Sequence, residues 1–370
     1  MVKVRQIVEV MENIAPRCLG EAWDNPGLHV GNPEWPVEMI SIALDPTYEV
    51  IDSAWHNNVN LVITHHPLIF QPLYSLDPGD HVGRIIELAL RKQVAVFCAH
   101  TNLDSARGGV NDMLAETIGL KSVDVLQPAR RTRCKAVVYV PKDHEESVLT
   151  GLFEAGLGKG DKYTCLSFRT KGTGTFLPGA GAKPFLGHKG ELNRVEEFRV
   201  EIGIETRDLP TFRDVLARVH PYEEVVYDLY PLQGDSTREG LGRLGSLSKP
   251  TSFDAFVKQT KSVFGLSVVK TAGNPKQAIE RVAVCGGSGR SLLGDFLSSD
   301  ADVLISGDMG YHDGQQVADA GKGLIDIGHF SSEQVMVEGL SGRLSASLAS
   351  KQWEVTVVPF TGQSDCFRYV

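Results

Sequence analysis

The chain has 370 residues, 42% hydrophobic and 22% charged, the balance of a soluble globular protein with room for two or three domains. Its net charge of −9 argues against a general nucleic-acid-binding surface, and no apolar run is long enough to span a membrane. Six cysteines (Cys18, Cys98, Cys134, Cys165, Cys285, Cys366) include no Cys-x-x-Cys pair, so they read as reduced thiols of a cytoplasmic protein rather than a disulfide frame or a thiolate zinc site.

At the start there is no secretory signal pattern: Val4, Ile7, Val8, Met11 and Ile14 follow helical spacing up to Pro16. Strand and helix then alternate. Strands are expected at Ser41 to Leu44, Leu61 to Thr64 and Val94 to Ala99, with helices at Tyr48 to Asn57, His81 to Lys92 and Val110 to Ile118. Between about Arg130 and Pro231 the texture changes. Strands at Cys134 to Val140, Arg194 to Glu205 and Val225 to Leu232, with helices at His144 to Ala155 and Leu209 to Val219, predict a ferredoxin-like α+β unit made of two strand-helix-strand passes. Its glycine-rich run, Gly172 through Gly187, reads as a loop.

The first grammar then returns, with strands at Arg281 to Val284, Val303 to Ile305 and Leu324 to Ile327, and helices at Ser291 to Leu297, Gly314 to Ala320 and from Glu333 onward. Ala43 to Val62 spans 19 residues and Ala283 to Leu304 spans 21, an internal repeat. The expected fold is therefore α/β: two similar halves, 1–129 and 232–370, form one core, and 130–231 is a domain inserted between them.

His65 and His66 end an apolar strand just before Pro67, which cannot donate to a ladder, so both rings are free to turn into one crevice. Two further strands end alike. Val96 to Ala99 runs into His100 and then Asp104, and Leu324 to Gly328 runs into His329 and then Glu333, with His and carboxylate four residues apart each time. Ser331 with Gln334 reads as a capping box and Phe330 with Val335 as a hydrophobic staple, placing Glu333 in a first helical turn. Taken singly, each residue has a structural reading as a strand end, a cap or a helix-dipole partner. Together, four histidines and two carboxylates at the carboxyl ends of strands suit two borderline divalent ions, zinc first, with iron, manganese or nickel as alternatives.

Three other motifs stand out. Gly286-Gly287-Ser288-Gly289, between a strand and a helix, is either a tight turn or a phosphate cradle. Asp308 and His312 follow the strand equivalent to the one ending in His65-His66, and are candidates for proton transfer or substrate orientation. His220-Pro221-Tyr222-Glu223-Glu224 is local structure or a small polar site, and His188 reads as local structure.

With these residues in view, the chain resembles the Nif-three-like dinuclear-metal family, often named GTP cyclohydrolase I type 2 homologues. The matching segments are Trp23-Asp24-Asn25-Pro26-Gly27-Leu28, Ile63 to Pro67, His100 to Asp104, Ser306-Gly307-Asp308 with His312, and Gly328-His329 with Glu333. Tyr163 to Gly187 and His220 to Leu232 match the longer subtype, whose inserted domain is PII- or CutA-like. The resemblance implies two metals held by His65, His66, Asp104, His329 and a bridging Glu333, with His100 handling protons or supporting a ligand. It also implies a homohexamer and hydrolysis of a small anionic, nucleotide-like or phosphorylated substrate. The rival expectation is a non-catalytic metal-binding or regulatory assembly whose inserted domain senses a small molecule.

Overall fold

The computed structural model describes residues 1–129, 133–160, 163–205, 208–232 and 239–368. It divides into two compact units, 1–129 with 237–370, and 130–236.

The larger unit holds two main sheets. In the first, Thr356–Pro359, Met39–Ala43, Leu61–Thr64 and Ala95–Cys98 lie side by side in parallel, and Gly27–Val30 closes the edge antiparallel. Every residue of Leu61–Thr64 and Ala95–Cys98 is buried, the unbroken apolar run of strands covered on both faces. Alternation sends Ile40, Ile42, Ile63 and Phe97 against the helices Val4–Ile14 and Val335–Ser350. It sends Val62 and Val96 against Tyr48–His56 and His81–Lys92.

The second sheet runs Lys270–Ala272, Gly323–Asp326, Val303–Gly307, Ala278–Ser288, Gly240–Ser252, Lys121–Pro128. Only its three neighbouring strands Gly323–Asp326, Val303–Gly307 and Ala278–Ser288 are parallel, repeating the pattern of the first half. The long strands Lys121–Pro128 and Gly240–Ser252 escaped the sequence reading for physical reasons. The first is mostly exposed, and the second carries Gly240, Gly242 and Gly245, residues that normally mark loops. The pair also brings the ends of the intervening segment together: Gly240 lies opposite Pro128, and the Ala129 N–H donates to the Glu239 carbonyl at 2.8 Å.

In the smaller unit a four-stranded antiparallel sheet is ordered Tyr227–Leu232, Arg133–Pro141, Asn193–Glu205, Phe168–Phe176. Helices Glu145–Glu154 and Leu209–Val219 cover one face through Val138, Val200, Ile202, Leu149, Leu152 and Phe212. Gly172 to Gly174 does not belong to a loop as expected. It lies in the strand Phe168–Phe176, paired along its length with Asn193–Glu205.

Two local expectations are corrected in the larger unit. The helix expected from Glu333 begins at His329, ends at Glu333 and resumes at Val335, so Ser331 is no cap; the Ser332 hydroxyl instead donates to the His329 carbonyl at 2.7 Å. Gly286 to Ser288 is the end of a strand, with the Gly286 N–H held by Asn111 Oδ1 and the Gly287 N–H by Ser332 Oγ, each at 2.9 Å. These two glycine donors are spent inside the fold rather than left to face a phosphate.

Candidate metal centre

Three strands, two neighbours in one sheet and one in the other, and two short helices deliver the site. Leu61–Thr64 ends at His65 and His66, Ala95–Cys98 leads through His100 into the helical turn carrying Asp104, and Gly323–Asp326 leads into the helix His329–Glu333. The structure thus brings together residues separated by more than two hundred positions in the chain.

Glu333 lies at the centre, with a side chain 4% exposed. Its Oε1 is 3.4 Å from His65 Nε2, which is itself 3.6 Å from Asp104 Oδ1. Its Oε2 is 3.0 Å from His66 Nε2 and 3.1 Å from His329 Nε2, and those two nitrogens are 3.2 Å apart. Two triads with ligand-like spacing therefore share Glu333: His65 with Asp104, and His66 with His329. His65, His66 and His100 form a third.

Every one of these histidines is anchored from outside through Nδ1. His65 is held by the Ala99 carbonyl (2.9 Å), His66 by Asp45 (2.7 Å), His100 by Asp24 (2.8 Å) and His329 by Asp308 (2.7 Å). An anchored Nδ1–H leaves the Nε2 lone pair as the inward-facing atom, the arrangement that carboxylates and carbonyls impose on metal-binding imidazoles. His65 Nε2 and Asp104 Oδ1 are buried without a hydrogen-bond partner, at a cost of roughly 1–3 kcal/mol for each such atom. A bound cation would relieve that cost, so the residues fit a metal.

The electrostatics agree. At His66 burial works against the charged ring, but Asp45 and Glu333 outweigh it and raise its pKa to about 10. Glu333, with burial opposing and Asp308 assisting, raises His329 to about 9. Burial pushes Asp104 upward, while the surrounding histidines overcome burial to hold Glu333 well below the usual carboxylate range. A metal held by these residues would compete with protons for the same imidazole nitrogens. The thiols of Cys98 and Cys285 lie nearby, but burial keeps both protonated.

His100 stands beside the two neighbouring histidines, its ring centre 5.3 Å from that of His65 and 5.8 Å from that of His66. Asp24, held well down to about 2 despite burial by hydrogen bonds from His100 and Thr101, fixes its orientation. Asp308 touches the cluster only through His329. His312 is exposed on the next helix against Tyr311 and belongs to none of the three triads.

The family model for Duf34/NIF3 (NGG1p interacting factor 3) matches residues 2–365. The chain belongs to this family. Among curated Duf34/NIF3 relatives, a Halalkalibacterium halodurans protein named GTP cyclohydrolase 1 type 2 homolog is 36% identical, covering 98% of each chain. A Bacillus subtilis protein of the same name is 35% identical over 98% of this chain and 96% of its own. A crystal structure of a Bacillus cereus protein related to NIF3 aligns over 100% of this chain and 99% of its own, at 35% identity and a TM-score of 0.78. The mixed α/β fold is thus that of Duf34/NIF3 proteins, as the motifs suggested.

Sequence reasoning missed the anchoring carboxylates Asp24 and Asp45. A signal was present for Asp45: Leu44-Asp45-Pro46 ends its strand as Thr64-His65-His66-Pro67 ends the neighbouring one. Asp24 stood inside a Duf34/NIF3 motif with no role read from it. Gly287 was also misjudged. Its φ of +59° and a would-be Cβ that collides with Glu333 Oε1 show that glycine is there to admit the central carboxylate.

Proposed function

We propose that this protein binds two divalent metal ions per chain, zinc foremost, and is a metal-dependent hydrolase of a nucleotide-like or phosphorylated small molecule. The observation that carries the reading is the division of labour at Glu333: one oxygen faces His65 and Asp104, the other faces His66 and His329, and each imidazole is anchored to present Nε2. His65, Asp104 and Glu333 would hold one ion, and His66, His329 and Glu333 the other. The chemistry such a pair supplies is activation of water and neutralisation of developing negative charge.

The chain's own residues do the rest. His100, anchored by Asp24 and next to His65 and His66, is positioned to take and return a proton at Nε2. Asp45 and Asp308 hold His66 and His329 in place. A groove beside His66 and His329 is lined by Asp45, Glu49, Asp308, Asp326 and Asp365 against Lys270 and His81. Carboxylates dominate it, so an anionic substrate would be accepted only once bound cations offset them. The relatives' name, GTP cyclohydrolase 1 type 2 homolog, points to the same substrate class.

The smaller unit's strand-helix-strand-strand-helix-strand order supports reading it as a ferredoxin-like domain inserted into the metal-binding core. With it we propose the homohexamer that the family resemblance implied. The deciding experiment screens metal-reconstituted protein against nucleotides and phosphoesters beside Glu333→Ala. Turnover by the wild type alone is expected; equal rates would remove the hydrolase reading.

A further inference from the structure

Two motifs that the metal centre leaves unused, the glycines from Gly172 and the run His220 to Glu224, meet in the smaller unit. They help wall a cavity of about 850 Å³ whose floor includes Tyr139, Glu197 and Arg199, on the sheet face opposite the two helices. That volume is typical of small-molecule sites.

Glu197 sets the character of the cavity. It is only 8% exposed, and its Oε1 accepts a hydrogen bond from the Tyr222 hydroxyl at 2.8 Å. The carboxylate lies across the neighbouring strand at Gly174, where any Cβ would collide with Oε2, and Gly172 is its register partner. Glycine weakens a strand interior, so its use here has the effect of making room for this side chain.

Two cations of the wall are engaged elsewhere, Arg199 with Glu201 at 3.2 Å and Lys171 with Glu196 at 3.3 Å, and Lys183, which also lines the cavity, has no ion pair with Glu197. Among the described residues, no lysine or arginine pairs with Glu197. A buried carboxylate calls for a cationic partner. Beside it the Tyr222 ring stands 6.4 Å from Phe176 and 6.5 Å from Phe185, both in the wall, and exposed Glu223 and Glu224 add negative charge. Aromatic faces next to a carboxylate recognise alkylated ammonium groups.

We propose that this cavity binds a small organic cation, an alkylammonium compound whose nitrogen pairs with Glu197 Oε2 while its carbon chain lies against Phe176, Phe185 and Tyr222. The test is a ligand-observed NMR titration of the full chain with butylammonium, using butyrate and 1-butanol as controls of the same length. Butylammonium should bind saturably and at least about tenfold more tightly than either control, as expected for a paired, desolvated charge. Glu197→Gln, which keeps the shape and removes the charge, should abolish that preference, and Phe185→Ala, at a half-exposed ring, should weaken binding several-fold with the fold intact. Glu333→Ala should leave it unchanged. Equal binding of butylammonium and 1-butanol, or a preference that survives Glu197→Gln, would overturn the proposal. If Glu197→Gln fails to fold, the control ligands and Phe185→Ala decide it.

Discussion

Asp45→Asn probes the proposed metal centre without touching any proposed ligand. Asp45 accepts from His66 Nδ1 at 2.7 Å, and its amide is in turn held by the Gln363 side chain at 3.3 Å. The substitution keeps the size of the side chain and removes its charge, leaving His66 less basic and less firmly oriented. Losing such an anchoring partner typically costs about 10–100-fold in metal affinity. Because the Asp45 side chain is 40% exposed, solvent already screens part of its effect, which places the expected loss near the lower bound, about tenfold or roughly 1.4 kcal/mol. The loss should fall mainly on one ion, since of the two triads that share Glu333 His66 belongs to the one with His329, while His65 is anchored by a backbone carbonyl the substitution does not reach. Chelator-competition titration with zinc, resolving two binding steps, reads both affinities. Equal weakening of both steps, or no weakening in a folded variant, would refute the reasoning.

Other outcomes follow from the same geometry. Gly287→Ala drives a methyl group into Glu333 Oε1 at a backbone φ of +59°, so it should lower metal content sharply; full occupancy measured by elemental analysis would show that Glu333 is not held where described. Metal uptake should release protons, because the metal-free rings of His66 and His329, raised to about 10 and about 9, are still protonated at neutral pH. Apparent affinity should therefore climb as pH rises from 6 toward 9, by up to about tenfold per unit for each proton displaced, and a pH-independent affinity by calorimetry in two buffers would contradict this. Replacing the segment between Ala129 and Glu239 with a short Gly-Ser linker should leave a soluble core that still binds metal, since those two residues already hydrogen bond at 2.8 Å. A core that folds without metal, or does not fold, would count against an independent insertion.

The parts of this molecule legible in the sequence are those where one physical rule dominates. Leu61–Thr64, His81–Lys92, Val110–Ile118 and Leu209–Val219 were bounded to the residue, because their apolar patterning is clear. The clustering of His65, His66, Asp104, His329 and Glu333 was legible because parallel strands collect ligands at one end. Gly240–Ser252 and Phe168–Phe176 were not, since their glycines serve close approaches that only the tertiary structure reveals. The start of the helix at His329 was hidden for a related reason: the Ser331 to Gln334 spacing suggested a cap, but Gly328, at φ +84°, turns the chain three residues earlier. Asp24 and Asp45 carry no spacing signal toward their histidines, being 76 and 21 residues away.

Both proposed ion sites share Glu333, so counting metal in Glu333→Ala separates a shared carboxylate from two independent sites. Elemental analysis of the zinc-loaded wild type should return two ions per chain, and Asp104→Ala should lose the ion it shares with His65 while keeping the other. Glu333→Ala, folded by circular dichroism, should lose both. Retention of two ions by folded Glu333→Ala would rule out a shared carboxylate.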